Sequence, residues 1–463
     1  MQKDVTFPTF IPTDVQNTFR WLLKVEEFQT IKLLAESVFK YLPPDNPEAS
    51  DFMAMMLHKA KMYREAVPYA RQTAKLLPSA EAKFNLAKCL NAAAMPAEAE
   101  KMMAEVVRER PDWVDPVIDH AVYVAAQGRF DEAEQRLRSL LNRVKEDEKN
   151  YAVVQFNLGW HEIRSGHFAN GIRMLGIGRQ LRIWGAYTFP YKQPMLQDRV
   201  SVEGKRILLV GEGGAGDEII NVRFAQTLKE RGAAKVFFTS NHKLDSLLSR
   251  SPGLDKVFTH AEQPPDFDFW APAMDLPRIL GLESPEIPKK PYVFASAEMK
   301  KRWQKLIPNN GKLRIGIRWQ GNALYEQDLM RSVPFKMMET FVNIPNVEVY
   351  SLQRDSGVEE RPADSKVVDL APHLTSWEDT AAAIENLDLV ISSCTSVPHL
   401  AAAIGKPVWL FCPLSSYYVW AGPDNGQAWY PQVQLYRQDK FGTWEGTYQR
   451  IYQDLNNLAT SKD

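Results

Sequence analysis

A repeat of roughly 34 residues runs through the first 175 positions and limits what they can fold into. A bulky residue followed three places later by a small or aliphatic one recurs at Phe28/Ile31, Tyr63/Ala66, Pro96/Ala99, Phe130/Ala133 and Phe168/Gly171, at intervals of 35, 33, 34 and 38. Prolines recur in step at Pro43, Pro78 and Pro111. A small residue lets two antiparallel helices approach, and a proline ends a helix whose next N–H it cannot supply. The pattern therefore predicts stacked helical hairpins over residues 1–175. An irregular helical bundle is the alternative.

Residues 176–204 lose this period and gain Pro, Gly and ring residues, which predicts a connector packed by Trp184, Phe189 and Tyr191. From Lys205 short apolar runs alternate with amphipathic stretches: RILLVG, KVFFTS, KVFTH, FDFWAPA, RIGIRWQG, VEVYSLQ, DLVISS and PVWLFC. Strands alternating with helices imply parallel sheets covered on both faces. A second start at KLRIGIRW after PNNG divides the region into two Rossmann-like domains, 205–305 and 306–463. The stretch WYPQVQLYRQDKFGTWEGTYQRIYQDL is expected to form the last strand and a helix returning to the first of them.

The chain of 463 residues is long enough for about three domains of ordinary size. Its 56 basic and 57 acidic side chains leave a net charge of −1, which argues against a nucleic-acid-binding or membrane-surface body. Cys89, Cys394 and Cys412 lie far apart, so no disulfide framework is expected and a reducing cytoplasm is the expected compartment. The start is interrupted by prolines and charges, unlike a signal peptide, and no run of about 18 apolar residues occurs. The eight histidines are scattered without an HExxH, so no metal site is expected.

Three segments carry candidate chemistry. RILLVGEGGAGDEII holds GxGxxG at Gly211, Gly213 and Gly216, between a strand and a helix. A dinucleotide fold would place a carboxylate at the end of the next strand, but that strand ends in Thr239, Ser240 and Asn241. The loop, with Gly214 and Gly216 counted among donor-binding positions, still allows close backbone approach. Asp217 in the first helical turn is either a partner of the helix dipole or a general base.

DLVISSCTSVPHLAAAIGKPVW delivers Thr395 and Ser396 from a buried strand to a helix start, suited to a diphosphate or to simple capping. His399, one turn inside, is a donor-site or a core residue. RIGIRWQGNALYEQDLMRSVPF ends a strand at Gly321 and Asn322 and leads to Arg331 and Ser332, where the guanidinium suits a phosphate or a surface ion pair. Gln353, at the end of VEVYSLQ, sits where a base or ribose would bind.

The segments KMYREAVPYARQTAKLLP and GRFDEAEQRLRSLL resemble tetratricopeptide repeats. Residues 205–455 resemble the tetratricopeptide-linked branch of the ADP-heptose:lipopolysaccharide heptosyltransferase superfamily, through GEGGAGDEIINVRFAQTL, FDFWAPAMDLPRIL, RIGIRWQGN with DLMRSVPF, and DTAAAIENLDLVISSCTSVPHLAAAIGKPVWLF. That resemblance implies a GT-B fold, Asp217 as catalytic base, Arg331 as the basic loop position, and inversion by direct displacement. Thr395 and His399 match the family's strand-to-helix segment, whereas its donor-binding Asp position holds Cys394.

The reading is a metal-independent glycosyltransferase using a nucleotide-diphosphate sugar as co-substrate, with no other cofactor. Its acceptor is a protein or glycan hydroxyl, and the helical array offers a peptide groove or a stacking surface for a second copy. An inactive scaffold of the same fold and a dinucleotide-dependent oxidoreductase are the competing readings.

Overall fold

The computed structural model describes residues 7–43, 45–181, 183, 191–259, 262–285, 290–423, 426 and 428–461. Of the connector's ring residues, Trp184 and Phe189 lie outside the described residues, while Tyr191 packs against Phe267 and Trp270. The chain divides into two compact units, residues 1–150 with 324–330, and residues 151–323 with 331–463.

The first unit contains helical hairpins formed by α1 (Thr13–Lys24), α2 (Phe28–Phe39), α3 (Pro47–Lys59), α4 (Tyr63–Leu76), α5 (Ala80–Ala92), α6 (Pro96–Glu109), α7 (Val114–Ala126) and α8 (Phe130–Arg143). The repeat's small positions do what their spacing demands: Ile31, Ala66, Ala99 and Ala133 are fully buried. A second periodic feature appears only in three dimensions. The turn inside each hairpin passes through a left-handed residue, at Glu26, Lys61, Ala94 and Gly128.

A fifth hairpin, α9 (Glu148–Arg164) and α10 (Phe168–Gln180), follows the same rule, with Gly166 left-handed and Gly171 against Gly159 at the crossing. It does not end the array as a separate repeat. Ile163, Phe168, Ile172 and Leu175 belong to the core that also holds Ile207 and Leu209, so compact packing divides the chain at 150/151 rather than 175/176.

The second unit holds two parallel sheets. One contains β1 (Arg206–Val210), β2 (Lys235–Ser240), β3 (Lys256–Thr259) and β4 (Phe269–Pro272) in the order β3-β2-β1-β4. The other contains β5 (Leu313–Arg318), β6 (Val347–Ser351), β7 (Val368–Asp369), β8 (Leu389–Ser393), β9 (Val408–Cys412) and β10 (Val433–Arg437) in the order β10-β9-β8-β5-β6-β7. Each sheet winds outwards from its first strand and then reverses. The reversals fall between β1 and β4 and between β5 and β8, the positions where open α/β sheets form a crevice at their carboxyl edge.

The two sheets share a device at the opposite edge. Arg206, opening β1, forms a two-pronged ion pair with Asp268 just before β4, and Arg314 in β5 does the same with Asp388 just before β8. Each aspartate also accepts its arginine's own backbone N–H, which fixes register beside the reversal.

Two further expectations need correction, and one element, the exposed two-residue β7, was not foreseen. The chain reaches the second sheet's helices before residue 305: Tyr292 donates its N–H to the Ala403 carbonyl at 2.9 Å, and the Trp303 indole donates to Asp379 at 3.2 Å. The C-terminal helix Glu445–Thr460 does not return to the first sheet. Its Ile451, Leu455 and Ala459, four residues apart, bury against Ile315, Val349 and Phe341 of the second sheet's core.

Candidate active site at two sheet reversals

The first half of the site is the loop leaving β1. Gly213 has φ of +75°, a conformation that side chains resist, and it turns the chain into α11 (Ala215–Asn221). Asp217 lies in the first turn, and its Oδ2 accepts the Gly214 N–H at 2.7 Å. Through that bond Asp217 caps its own helix. Its other oxygen, Oδ1, accepts the hydroxyl of Tyr417, which comes from the second sheet. Burial pushes the carboxyl above its ordinary range, while the bonds from Tyr417 and Gly214 and the nearby His242 pull it back.

The end of β2 explains the missing ribose carboxylate. Ser240 Oγ and the Asn241 N–H both bond the buried Glu218 carboxylate, at 2.5 and 2.9 Å. The polar TSN end of the strand serves α11 itself.

The second half leaves β8. Thr395 is the N-cap of the helix Ser396–Ile404, its Oγ1 accepting the Val397 N–H at 3.4 Å. Arg331 donates from Nη1 to the Cys394 carbonyl at 2.8 Å, which brings a guanidinium to the start of that helix. Cys394 is buried and stays a thiol, because burial raises its pKa despite Arg331. Ser393 is fully buried, and its Oγ has no hydrogen-bond partner among the described residues.

His399 stacks on Trp420, with ring centroids 4.8 Å apart and planes 13° from parallel. Burial first, then Arg223 and Arg331, lowers its pKa to about 3, so the ring is neutral, and its Nδ1 has no partner among the described residues.

The two halves meet. α11 packs against the helix Ser396–Ile404, and Gly216 faces His399 and Ser396 across that contact. A methyl group there would lie 3.2 Å from His399 Cδ2 and 3.4 Å from Ser396 Cα. Gly214, Gly216, Asp217, Arg331, Thr395, Ser396 and His399 therefore gather around one junction.

Other expected site residues sit differently. Gln353 is fully buried and its amide is committed: Oε1 accepts the N–H groups of Trp319 and Gln320, and Nε2 donates to the Gln320 and Ser356 carbonyls. It shapes the loop after β5 instead of presenting a polar group to a nucleotide. In that loop Gly321 is buried and Asn322 exposed. Ser332 is half-buried, its carbonyl holding the Trp444 indole at 2.9 Å.

Several contributors were not anticipated. Arg223, just before α12 (Phe224–Glu230), is buried in a ring cage. It lies 4.3 Å from the Tyr430 centroid and 4.8 Å from that of Tyr292, and it donates to the Trp429 carbonyl at 2.9 Å. Trp429 and Tyr430, and not the C-terminal helix, thereby join the second sheet to the first. On the other flank, Arg179 of α10 grips Glu212 between the loop glycines, at 3.0 and 2.6 Å.

No protein-family model matches the chain. Protein FlbA of Caulobacter vibrioides is 26% identical over 339 residues, which are 64% of this chain and 55% of FlbA. The chain thus spans little more than half the length of that curated relative. Among solved structures, E. coli ADP-heptose lps heptosyltransferase II is similar over 56% of this chain and 99% of its own, with 13% identity and a TM-score of 0.43. A Thermobaculum terrenum O-GlcNAc transferase mutant is similar over 98% of this chain and 95% of its own, with 13% identity and a TM-score of 0.36.

Proposed function

We propose that the chain is a glycosyltransferase that moves a sugar from a nucleotide-diphosphate sugar to an acceptor hydroxyl. One observation carries the reading: Asp217 from the first sheet's reversal and the helix start at Thr395–Ser396 from the second's come together at Gly216. Binding at paired carboxyl edges is what this topology provides for.

In this reading the backbone N–H groups and hydroxyls of Thr395 and Ser396, with Arg331, take the leaving diphosphate. Together they supply the positive potential that a metal ion supplies elsewhere. Asp217, its proton affinity raised by burial, deprotonates the acceptor hydroxyl as the sugar is displaced with inversion. The helical hairpins of the first unit hold the acceptor, a protein segment.

The test is a panel of nucleotide sugars screened for thermal stabilisation and then for nucleotide release, with and without EDTA. Stabilisation by one donor and release that survives EDTA supports the reading; strict dependence on Mn²⁺ or Mg²⁺ overturns the metal-independent part. A second reading, a scaffold that binds without turnover, is favoured by Cys394 standing where the family carries Asp. It predicts stabilisation without release for every donor and acceptor tried.

A further inference from the structure

We infer that Tyr417 is the positioning residue for Asp217: its hydroxyl, delivered by the second sheet, holds in place a carboxylate carried by the first. This rests on the reading of Asp217 as the base. The carboxylate's two oxygens are held from opposite sides, Oδ2 by the Gly214 N–H of its own helix and Oδ1 by Tyr417, 200 residues away in sequence. The first bond leaves the carboxylate free to turn about it; the second removes that freedom and keeps one oxygen facing the junction.

Tyr417 is itself built in. Its ring packs against Trp160 of α9, centroids 6.3 Å apart, and against Tyr418 at 4.6 Å. The main chain that follows it is tied down where Arg437 donates to the Trp420 carbonyl at 2.8 Å, and Trp420 lies flat on His399. The backbone N–H of Tyr417 faces the Cys394 sulfur. Cys394 thus stands against the segment that presents the phenol, which gives the thiol a structural role at that position.

The groups that face Asp217 are few among the described residues. His242, from the loop after β2, lies near enough to favour the carboxylate; Glu218 on the same helix opposes it, and Cys394 and Tyr418 from the second sheet share its surroundings. A phenol donating to a carboxylate favours the ionised form, so its loss moves the proton affinity upwards.

The experiment is Tyr417→Phe in the full-length chain, which keeps the ring and removes only the hydroxyl. Carboxyl carbon NMR titration of Asp217, assigned by its disappearance in Asp217→Asn, should show a midpoint about one pH unit higher in Tyr417→Phe. The acid limb of nucleotide release should move the same way, with kcat reduced and donor KM unchanged. An unchanged Asp217 midpoint overturns the inference whatever the activity. If instead Asp217→Asn releases nucleotide at the wild-type rate while the midpoint shifts, the bond is real but the assignment of Asp217 as base is lost, and the positioning role with it.

Discussion

Gly216 of α11 lies directly against His399 of the second sheet's helix. A β-carbon at Gly216 would sit 3.2 Å from His399 Cδ2, tighter than ordinary packing, and 3.4 Å from the Ser396 main chain, at its edge, so the buried His399 ring would have to shift by a few tenths of an ångström. Gly216→Ala should therefore destabilise the second unit by about 1–3 kcal/mol, although alanine is the better helix former. Gly214 offers a control, because its added methyl would meet Asp217 Oδ2 at an ordinary 3.6 Å. Denaturant midpoints for the two variants decide the point. Equal, small effects would show that the helices move apart freely.

The two halves of the site should respond to different measurements. Asp217→Asn keeps an oxygen that can cap α11, so stability and donor affinity should stay close to wild type while kcat falls about 10²–10⁴-fold. Replacing Thr395 and Ser396 with Val should instead weaken donor binding about ten- to a hundredfold for each charge-assisted bond lost. Calorimetric titration with the donor and single-turnover release separate the two. Wild-type turnover in Asp217→Asn would leave the carboxylate as a cap only, and normal binding in the Val variants would do the same for Thr395.

How much of this was legible depends on range. The hairpins were readable because Ile31, Ala66, Ala99 and Ala133 recur in one period, and most strands because parallel sheets make runs such as RILLV and DLVISS. The apolar stripe of α9 and α10 reads like another repeat, since a stripe does not say what it will pack against; Ile163 and Leu175 meet the sheet core. The same ambiguity misplaced the C-terminal helix. Gln353 read as a ligand group because it ends a strand, yet a buried amide with four backbone partners is a structural staple. Tyr417 left no local signal, as its partner lies 200 residues away.

The left-handed turn at Ala94 marks a place where the sequence departs from what its backbone favours. Ala94 has φ of +62°, the conformation that Gly128 and Gly166 adopt at the matching places. A β-carbon there costs about 1 kcal/mol. Ala94→Gly should raise the denaturation temperature of the first unit by a few degrees, and Ala94→Val should lower it. Calorimetry reads both, and a lower temperature for the glycine variant would show that unfolded-chain entropy outweighs the relief of strain.

His399 should make the second unit acid-sensitive. Its pKa is lowered to about 3, whereas the unfolded chain takes up the proton near 6.5. Between those values the unfolded state binds the extra proton, so stability is lost as pH falls below about 6.5, amounting to roughly 2 kcal/mol by pH 5. His399→Phe keeps a flat ring on Trp420 and removes the titration. The difference between urea midpoints at pH 7 and pH 5 should shrink in this variant. An undiminished difference would assign the acid sensitivity elsewhere.

The pair Arg179–Glu212 joins α10 to the glycine loop and should carry an energetic coupling that neither residue has alone. Glu212 is buried, and it also accepts the Met274 N–H at 3.2 Å; Arg179 is nearly buried, with Asp275 at 3.8 Å. Taking one charge from a buried pair leaves the other desolvated, so Glu212→Gln should cost about 3–5 kcal/mol, tempered by Asp275. Arg179→Met should cost a similar amount. With both replaced, no buried charge of the pair is stranded, and the loss should fall short of the sum by about 1–3 kcal/mol. Denaturant unfolding of the four proteins in the cycle measures this directly. Because Glu212 lies between Gly211 and Gly213, the single variants should also lower kcat by loosening the turn that carries Asp217. Strict additivity, or single variants with wild-type stability, would mean that α10 merely rests on the sheet and does not hold the loop.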